Sequence, residues 1–349
     1  MRLEPVAAPS ALAALFYPAG AVVVTFALAA LLVLAAGASP FDVFGLVAKG
    51  AAGSQFALFE TLTRATPLIF TGLAVAVAFR ARLWNIGAEA QLYAGAIVTV
   101  VLGTGALPLP AYLLIPLIMI AAVVAGALLL LGPAILKTRF GVDEVVTTLL
   151  FNFIMLLFVS MLLEGVLKDP TGLGWPQSQK LVAEARLPRI VAGRRLHYGF
   201  VLALVSALAV WIVMKKTALG FEMRAVGHNA EAARFAGIPV NRVLIKTALL
   251  SGGLAALAGF SEVSGLKGNL TLDLSPGFGY SGIVVAMLAL LNPLGVVIAA
   301  IFVAAIFVGA DAMSRTAGVP TYIANVMVAI ALLTMVLAIM LTRYRVRWR

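Results

Sequence analysis

Long apolar runs separated by short polar links recur from one end of the chain to the other, and no other feature constrains the fold as tightly. A run of about 20 apolar residues is the length at which a helix crosses a hydrocarbon layer of about 30 Å. Such runs begin near Tyr17, Phe56, Leu83, Ala111, Val145, Tyr198, Val243, Leu294 and Pro320, and a shorter one covers Gly282 to Leu291. Inside lipid every backbone polar group must be satisfied within its own segment, so helices are the expected element. Composition agrees: of 349 residues 63% are hydrophobic and 11% charged, with a mean hydropathy of +1.09. Soluble domains average about 45–50% and about 25%. The expected fold is an all-α, polytopic transmembrane bundle of about ten spans, some interrupted, forming a single domain over 1–349. The first run could pass for a secretory leader, but its apolar core exceeds the usual length of about 7–15 residues. An uncleaved span is expected there.

The expected spans are Tyr17–Gly37, Phe56–Phe79, Leu83–Leu102, Ala111–Leu131, Val145–Leu163, Tyr198–Met214, Val243–Gly265, the short run, Leu294–Ala310 and Pro320–Leu341. Asp311–Val319 reads as a loop. An even number of crossings places both termini on one side. That side carries fifteen of the 25 lysines and arginines, and six of the other ten lie in the long polar loop 164–197. The positive-inside bias therefore predicts cytoplasmic termini, a cytoplasmic segment 217–242 and an external loop 164–197. The net charge of +11 is accounted for by residues flanking spans at the bilayer surface, so no nucleic-acid partner is expected. Cysteine is absent and the two histidines, His197 and His228, stand far apart. No metal site is expected.

Within the cytoplasmic segment, residues 220–239 carry their own start and stop signals. Asn229 is an N-cap residue, Glu231 falls in the first turn against the positive end of the helix dipole, and Gly237 followed by Pro239 ends the helix. The predicted helix, Ala230 to Ala236, has two turns and cannot be stable alone. It needs something to dock against.

Polar residues inside or at the ends of the spans are Glu60, Arg64, Asn85, Glu89, Gln91, Asn152, Glu262 and Asp311. A charge facing lipid at mid-depth costs at least about 2.5–3.5 kcal/mol, so such residues face the bundle interior or water. Glu60 and Arg64 have the i,i+4 spacing of a structural pair. Asn85 and Glu89 are expected on one helical face, with Gly87-Ala88 allowing close helix approach. Asp143 and Glu144 suit the start of the fifth span. A faint internal repeat relates Thr71-Gly72-Leu73-Ala74-Val75-Ala76 to Ser281-Gly282-Ile283-Val284-Val285-Ala286, with Pro67 and Pro276 upstream. Interrupted segments in corresponding positions mark substrate paths in transporters. The path candidates are Thr66, Pro67, Asn85, Glu89, Gln91, Asn152, Pro276, Phe278 and Ser281.

Catalytic motifs are missing: there is no His-Glu-x-x-His and no Gly-x-Ser-x-Gly. None of the eight lysines follows a glycine, so a phosphate-binding Gly-Lys-[Ser/Thr] loop cannot occur. If solute moves at the expense of ATP, a partner holds the nucleotide. The residues leave open an ion-coupled secondary transporter using Glu89, Glu262 and Asp311, although these acids are scattered. A non-transport scaffold has only generic polar loops behind it.

Several runs carry a family resemblance. Pro67 to Arg80 leading into Asn85-Ile86-Gly87-Ala88-Glu89-Ala90-Gln91 resembles the membrane subunits of ABC importers in the branched-chain amino acid, ribose and nucleoside permease group. Gly141-Val142-Asp143-Glu144-Val145-Val146-Thr147-Thr148-Leu149 with Asn152, Lys168-Asp169-Pro170, Ala218-Leu219-Gly220-Phe221 and Ser275-Pro276-Gly277-Phe278-Gly279-Tyr280 resemble the nucleoside and simple-sugar branch. The resemblance covers Thr66 to Val319. It implies a permease in a bacterial plasma membrane, paired with a second permease copy or paralogue. It also implies two cytoplasmic ABC ATPase subunits holding ATP and Mg, an external solute-binding protein, and no cofactor on this chain. Glu231-Ala232-Ala233 with Gly237 is similar to the first half of the EAA loop that seats in an ATPase groove. The second half, Ile-x-Leu-Pro, is not met, since Thr247-Ala248-Leu249-Leu250 stands in its place. On this resemblance the ATPase-coupling residues are Asn229, Glu231, Ala232, Ala233, Arg234, Phe235 and Gly237. Nucleosides are the expected solute, with simple sugars as the alternative.

Overall fold

A computed structural model describes residues 2–5, 11–35, 37–172, 174–317 and 344–347, with scattered positions between 322 and 341. The expected last span therefore lies largely outside the described residues. Twelve helices are described: α1 (Ala11–Ala35), α2 (Pro40–Ala52), α3 (Gln55–Arg80), α4 (Ala88–Gly103), α5 (Ala111–Phe140), α6 (Glu144–Glu164), α7 (Gly199–Lys216), α8 (Ala218–His228), α9 (Ala230–Phe235), α10 (Val240–Ser261), α11 (Phe278–Leu288) and α12 (Pro293–Ala317). Six of them, α3, α5, α6, α7, α10 and α12, are long and apolar enough to cross a membrane. The pair α1 and α2, bent by 114°, meets the same test as a unit, and α4 and α11 are shorter apolar helices. The chain forms two compact units, 1–61 with 302–349 and 62–301.

In the larger unit, α4, α5 and α10 pack backbone to backbone. Gly95 faces the Ala256 carbonyl, Gly126 and Gly252 face one another's carbonyls, and Gly259 faces the Leu92 carbonyl. A Cβ at any of these would overlap a backbone oxygen, so small residues set how closely the helices approach. Of the most apolar windows, 78% of that in α10 is buried, against 22% to 28% in α5, α6 and α7. α10 is thus internal, and the other three present apolar side chains outward, as lipid-facing helices do. In the smaller unit α2 packs on α12, with Gly309 against Val47 and Gly50 against Ala312. Phe26 and Phe44 meet edge to face at 5.4 Å. Strand β1 (Arg2–Pro5) pairs antiparallel with β2 (Tyr344–Arg347).

Several expected boundaries move. The third span does not begin at Leu83: Ala81 to Gly87 is non-helical and α4 starts at Ala88. Arg82 adopts φ 53° and the Asn85 side chain accepts from the Gly87 N–H at 3.0 Å, a local bond that competes with helix formation. Asn85 and Glu89 are accordingly not one turn apart on a helix. Asp311–Ala317 is not a loop either, because α12 continues to Ala317; the last two residues of that expected loop lie outside the described residues. Its sequence holds no glycine or proline between Asp311 and Ala317, so nothing there stops the helix. The seventh span runs on without a break into a π-helix, Glu262–Lys267, ended by Gly268 at φ 78°. The short run starts earlier than Gly282, at Phe278. α2 and α8 were not expected; each follows a start signal, Pro40 in the first turn of α2 and Thr217 accepting from the Gly220 N–H in α8.

The polar loop 164–197 is ordered against the end of α4 and the π-helix. Leu181 N–H donates to the Gly268 carbonyl at 2.8 Å, Val182 to Gly103 at 2.9 Å and Leu187 to Ser264 at 2.9 Å. α8 and α9 lie at the other end of α7, which at 18 residues is about 27 Å long.

Candidate translocation site and coupling helix

Two short helices meet in the larger unit. α4 has 16 residues, about 24 Å, and α11 has 11, about 16 Å; both fall short of a bilayer's about 30 Å. Each follows a non-helical stretch, 81–87 and 268–277. Glu89 in the first turn of α4 accepts from the Gly279 N–H in the first turn of α11 at 2.6 Å. The carboxylate thus sits where two helix N-termini converge, a position favoured by both dipoles. Gly279 must be glycine, since a Cβ there would run into the backbone of Glu89.

The surrounding amides bond to one another and to neighbouring backbone and hydroxyl groups. Asn85 and Gln91 form a reciprocal pair, Nδ2 to Oε1 and Nε2 to Oδ1, both at 2.9 Å. Asn85 also donates to Ser251 Oγ at 3.0 Å, and Ser251 donates to the Ala74 carbonyl at 2.7 Å. Asn152 on α6 accepts from Ala90 N–H at 2.9 Å and donates to the Ile86 carbonyl at 2.9 Å and to Tyr280 Oη at 3.1 Å. Tyr93 donates to the Leu272 carbonyl at 2.7 Å. Ser275 Oγ accepts from the N–H groups of Gly277 and Phe278, starting α11.

The two halves of the repeat touch. Thr71 donates to the Phe278 carbonyl at 3.0 Å, Gly282 packs on Thr71, and Gly72 packs on Val285. The Arg64 guanidinium lies 5.6 Å from the Phe278 ring centroid. Of the sequence candidates, Asn85, Glu89, Gln91, Asn152 and Phe278 are buried within this cluster, and Ser281 sits in the first turns of α11 with its N–H on the Gly277 carbonyl. Thr66 and Pro67 are buried on α3, one turn before Thr71, and Thr66 bonds only to the Leu62 carbonyl among the bonds described. Pro276 is exposed in the 268–277 stretch. Sequence reasoning does not find Ser251 or Tyr93, and it places Thr71 and Tyr280 only within the repeat and a family-like run, not among the path candidates: hydroxyls in an apolar run carry no periodic signal that separates a cluster member from a residue bonding its own helix.

Around 217–242 the local prediction holds. Asn229 Oδ1 accepts from the N–H groups of Glu231 and Ala232, both at 3.0 Å. Gly237 takes φ 84°. Ala233 is buried, while Glu231, Ala232 and Arg234 are exposed and Phe235 is 96% exposed. α8 leans on the end of α3 through Gly227 against the Arg80 carbonyl. Nearby, Asp143 caps α6 by accepting from Val145 N–H at 2.7 Å. Glu144 is buried, pairs with Lys137 and accepts from the Trp84 N–H at 3.2 Å.

Apolar helices around paired half-helices, with an ordered lid at one end and an exposed capped helix at the other, define a multi-pass membrane transport subunit. Residues 57–341 match the family described as branched-chain amino acid transport system / permease component, and the chain belongs to it. It is 35% identical to the glucose ABC transporter permease protein TsgB13 of Haloferax volcanii, over 99% of this chain and 93% of that protein. It is 36% identical to the guanosine ABC transporter permease protein NupP of Bacillus subtilis, over 91% and 92%. With the nucleoside ABC transporter permease protein NupB of Lactococcus lactis subsp. cremoris it shares 33%, over 89% and 88%. The chain is thus an ABC permease subunit and not itself an enzyme; nucleotide hydrolysis belongs to a separate ATPase.

Proposed function

We propose that this chain is the membrane-spanning permease of an ATP-driven importer for nucleosides in a bacterial plasma membrane. The observation that carries the reading is α9, a capped six-residue helix with Phe235 bare on its surface, in a permease chain with no nucleotide site of its own. Two ATPase subunits, each with ATP and Mg, would receive α9 and its counterpart on a second permease, a copy or a paralogue. Both termini would be cytoplasmic, with the loop 164–197 outside to receive a solute-binding protein. About ten crossings follow if α4, α11, the bent pair α1–α2 and the segment 320–341 each count with the six long helices. On this reading the chain is one permease domain, with 217–242 as its coupling segment.

Closure of the ATPases would move α9 and, through α8 and Gly227, the end of α3. That motion pulls on the junction where Glu89 meets Gly279. Separating α4 from α11 there exposes amides of Asn85, Gln91 and Asn152 and the Tyr280 hydroxyl, neutral donors and acceptors matched to the base edges and ribose hydroxyls of a nucleoside. Unwound backbone between half-helices is tolerated where it lines a cavity. The nucleoside and guanosine relatives favour this solute; the glucose relative keeps a simple sugar as the second reading, since the same groups bond sugar hydroxyls.

Because the chain has no cysteine, Phe235→Cys is a unique thiol. It should crosslink to a cysteine-bearing groove on the ATPase, and crosslinking should fall when ATP is depleted. Labelling of Phe235→Cys that is unaffected by the ATPase subunits would defeat the docking role.

A further inference from the structure

One cavity plays no part in the translocation reading. It encloses about 520 Å³ at the end of α7 nearest α8, and its lining includes Arg80, Trp211, Lys215, Arg224, Leu290 and Asn292. Three of these are cations and no lining residue is an acid. They come from three helices, α3, α7 and α8, and each is held in place. Arg80 reaches the Leu291 carbonyl at 3.5 Å, Arg224 bonds the Met214 carbonyl, and the Lys215 ammonium stands 5.6 Å from the Trp211 ring centroid. Three converging cations with no acid among the described lining residues repel one another in a partly dry site, and such a site attracts an anion.

The far wall is the link between α11 and α12. Leu290 and Leu291 there both take left-handed conformations, φ 50° and 58°. Non-glycine residues rarely hold that geometry, and such strain gathers at ligand clamps.

The surroundings identify the kind of anion. Leu204 and Leu208 on α7 are exposed, and the same stripe continues at helical spacing to Trp211 and Lys215. On the other wall, Pro293 opens α12 and is followed by exposed Leu294 and by Ile298, which is 73% exposed. Two lipid-facing apolar stripes therefore run away from a cationic pocket with tryptophan and lysine at its rim, the residue types that mark a membrane interface. We infer that this cavity binds the phosphate headgroup of an anionic glycerophospholipid, its acyl chains lying along the α7 and α12 stripes. Basic pockets between spans suit such headgroups. Because Arg224 belongs to α8 and Gly227 of α8 rests on Arg80, the phosphate would also brace the coupling segment against α3 and α7.

The test uses the assembled transporter in nanodiscs of phosphatidylcholine with a minor fraction of phosphatidylglycerol, retained lipid being counted by native mass spectrometry. Phosphatidylglycerol should be retained in preference to phosphatidylcholine. Lys215→Gln should lower that preference about fivefold, the worth of one cation near a charged surface, and Lys215→Arg should restore it. Lys216→Gln, one residue on and outside the cavity lining, should leave it unchanged. No preference in the wild-type complex would overturn the assignment. So would equal losses for Lys215→Gln and Lys216→Gln, which would signify surface charge alone, or displacement of the lipid by inorganic phosphate at equal concentration, which would signify a soluble-anion site.

Discussion

Glu89 holds the N–H of Gly279 at 2.6 Å, across 190 positions of sequence, and so fastens the first turn of one half-helix to the first turn of another. Replacing the carboxylate with alanine leaves a buried donor without its acceptor, a loss of about 1–3 kcal/mol. Glu89→Ala should therefore lower the unfolding temperature and reduce uptake severely. Glu89→Gln keeps an acceptor oxygen and should retain most of both. Thermal unfolding in detergent beside uptake assays separates the two; equal loss in both variants would show that charge, not the bond to Gly279, is what matters.

The reciprocal amide pair of Asn85 and Gln91 predicts an asymmetric result. Asn85→Asp preserves size but cannot donate to Gln91 Oε1 or Ser251 Oγ, and it buries a charge beside two acceptors. It should destabilise more than Asn85→Ala, since an unpaired buried charge costs more than an absent group. The order of unfolding temperatures reads this out directly.

A close helix crossing gives a third expectation. Gly259 faces the Leu92 carbonyl, whereas a Cβ at Gly45 would meet nothing within 4 Å. Gly259→Ala should destabilise by about 1–3 kcal/mol, the usual range for overpacking, and lower the yield of folded protein on size exclusion. Gly45→Ala, also mid-helix, should gain slightly from helix propensity.

His197, in the loop 164–197 and fully buried, carries a pH dependence. Its Nδ1 accepts from the Gly199 N–H at 3.1 Å, so a second ring proton would break that bond. Burial pushes its pKa down from 6.5 to about 4. A depressed histidine contributes stability that is present above the unfolded value and lost as pH falls through the folded one, here between about 6.5 and about 4. The full difference is worth roughly 3 kcal/mol. Hydrogen exchange of residues 181–198 should speed up over that window in the wild type, and less so in His197→Asn.

The capped helix α9 is where sequence and structure agree most fully. Asn229, Glu231, Gly237 and Pro239 are local signals, each acting within one turn, and the helix they specify is the one observed. The apolar runs likewise located most long helices, because membrane length and hydropathy are additive along a chain. Other features depend on distant partners. The unwinding at 81–87 depends on Gln91 and Ser251 answering Asn85, and Ser251 is 166 positions away. The extra turns of α12 past Asp311 show the reverse error, a single charge read as a boundary where no helix-stopping residue stands. The pairing of Glu89 with Gly279 could not be read from either segment, although the faint repeat around Thr71 and Ser281 pointed at the same junction.

Uptake of a labelled nucleoside into proteoliposomes tests the central claim most directly. The vesicles hold this chain with a second permease, copy or paralogue, and ATPase subunits as proposed, ATP enclosed, and binding protein outside. Uptake should require both ATP and the binding protein, and Glu231→Lys should abolish it while leaving membrane insertion and assembly of the permeases intact. Uptake by this chain alone, without ATP and driven by a proton or sodium gradient, would contradict the account.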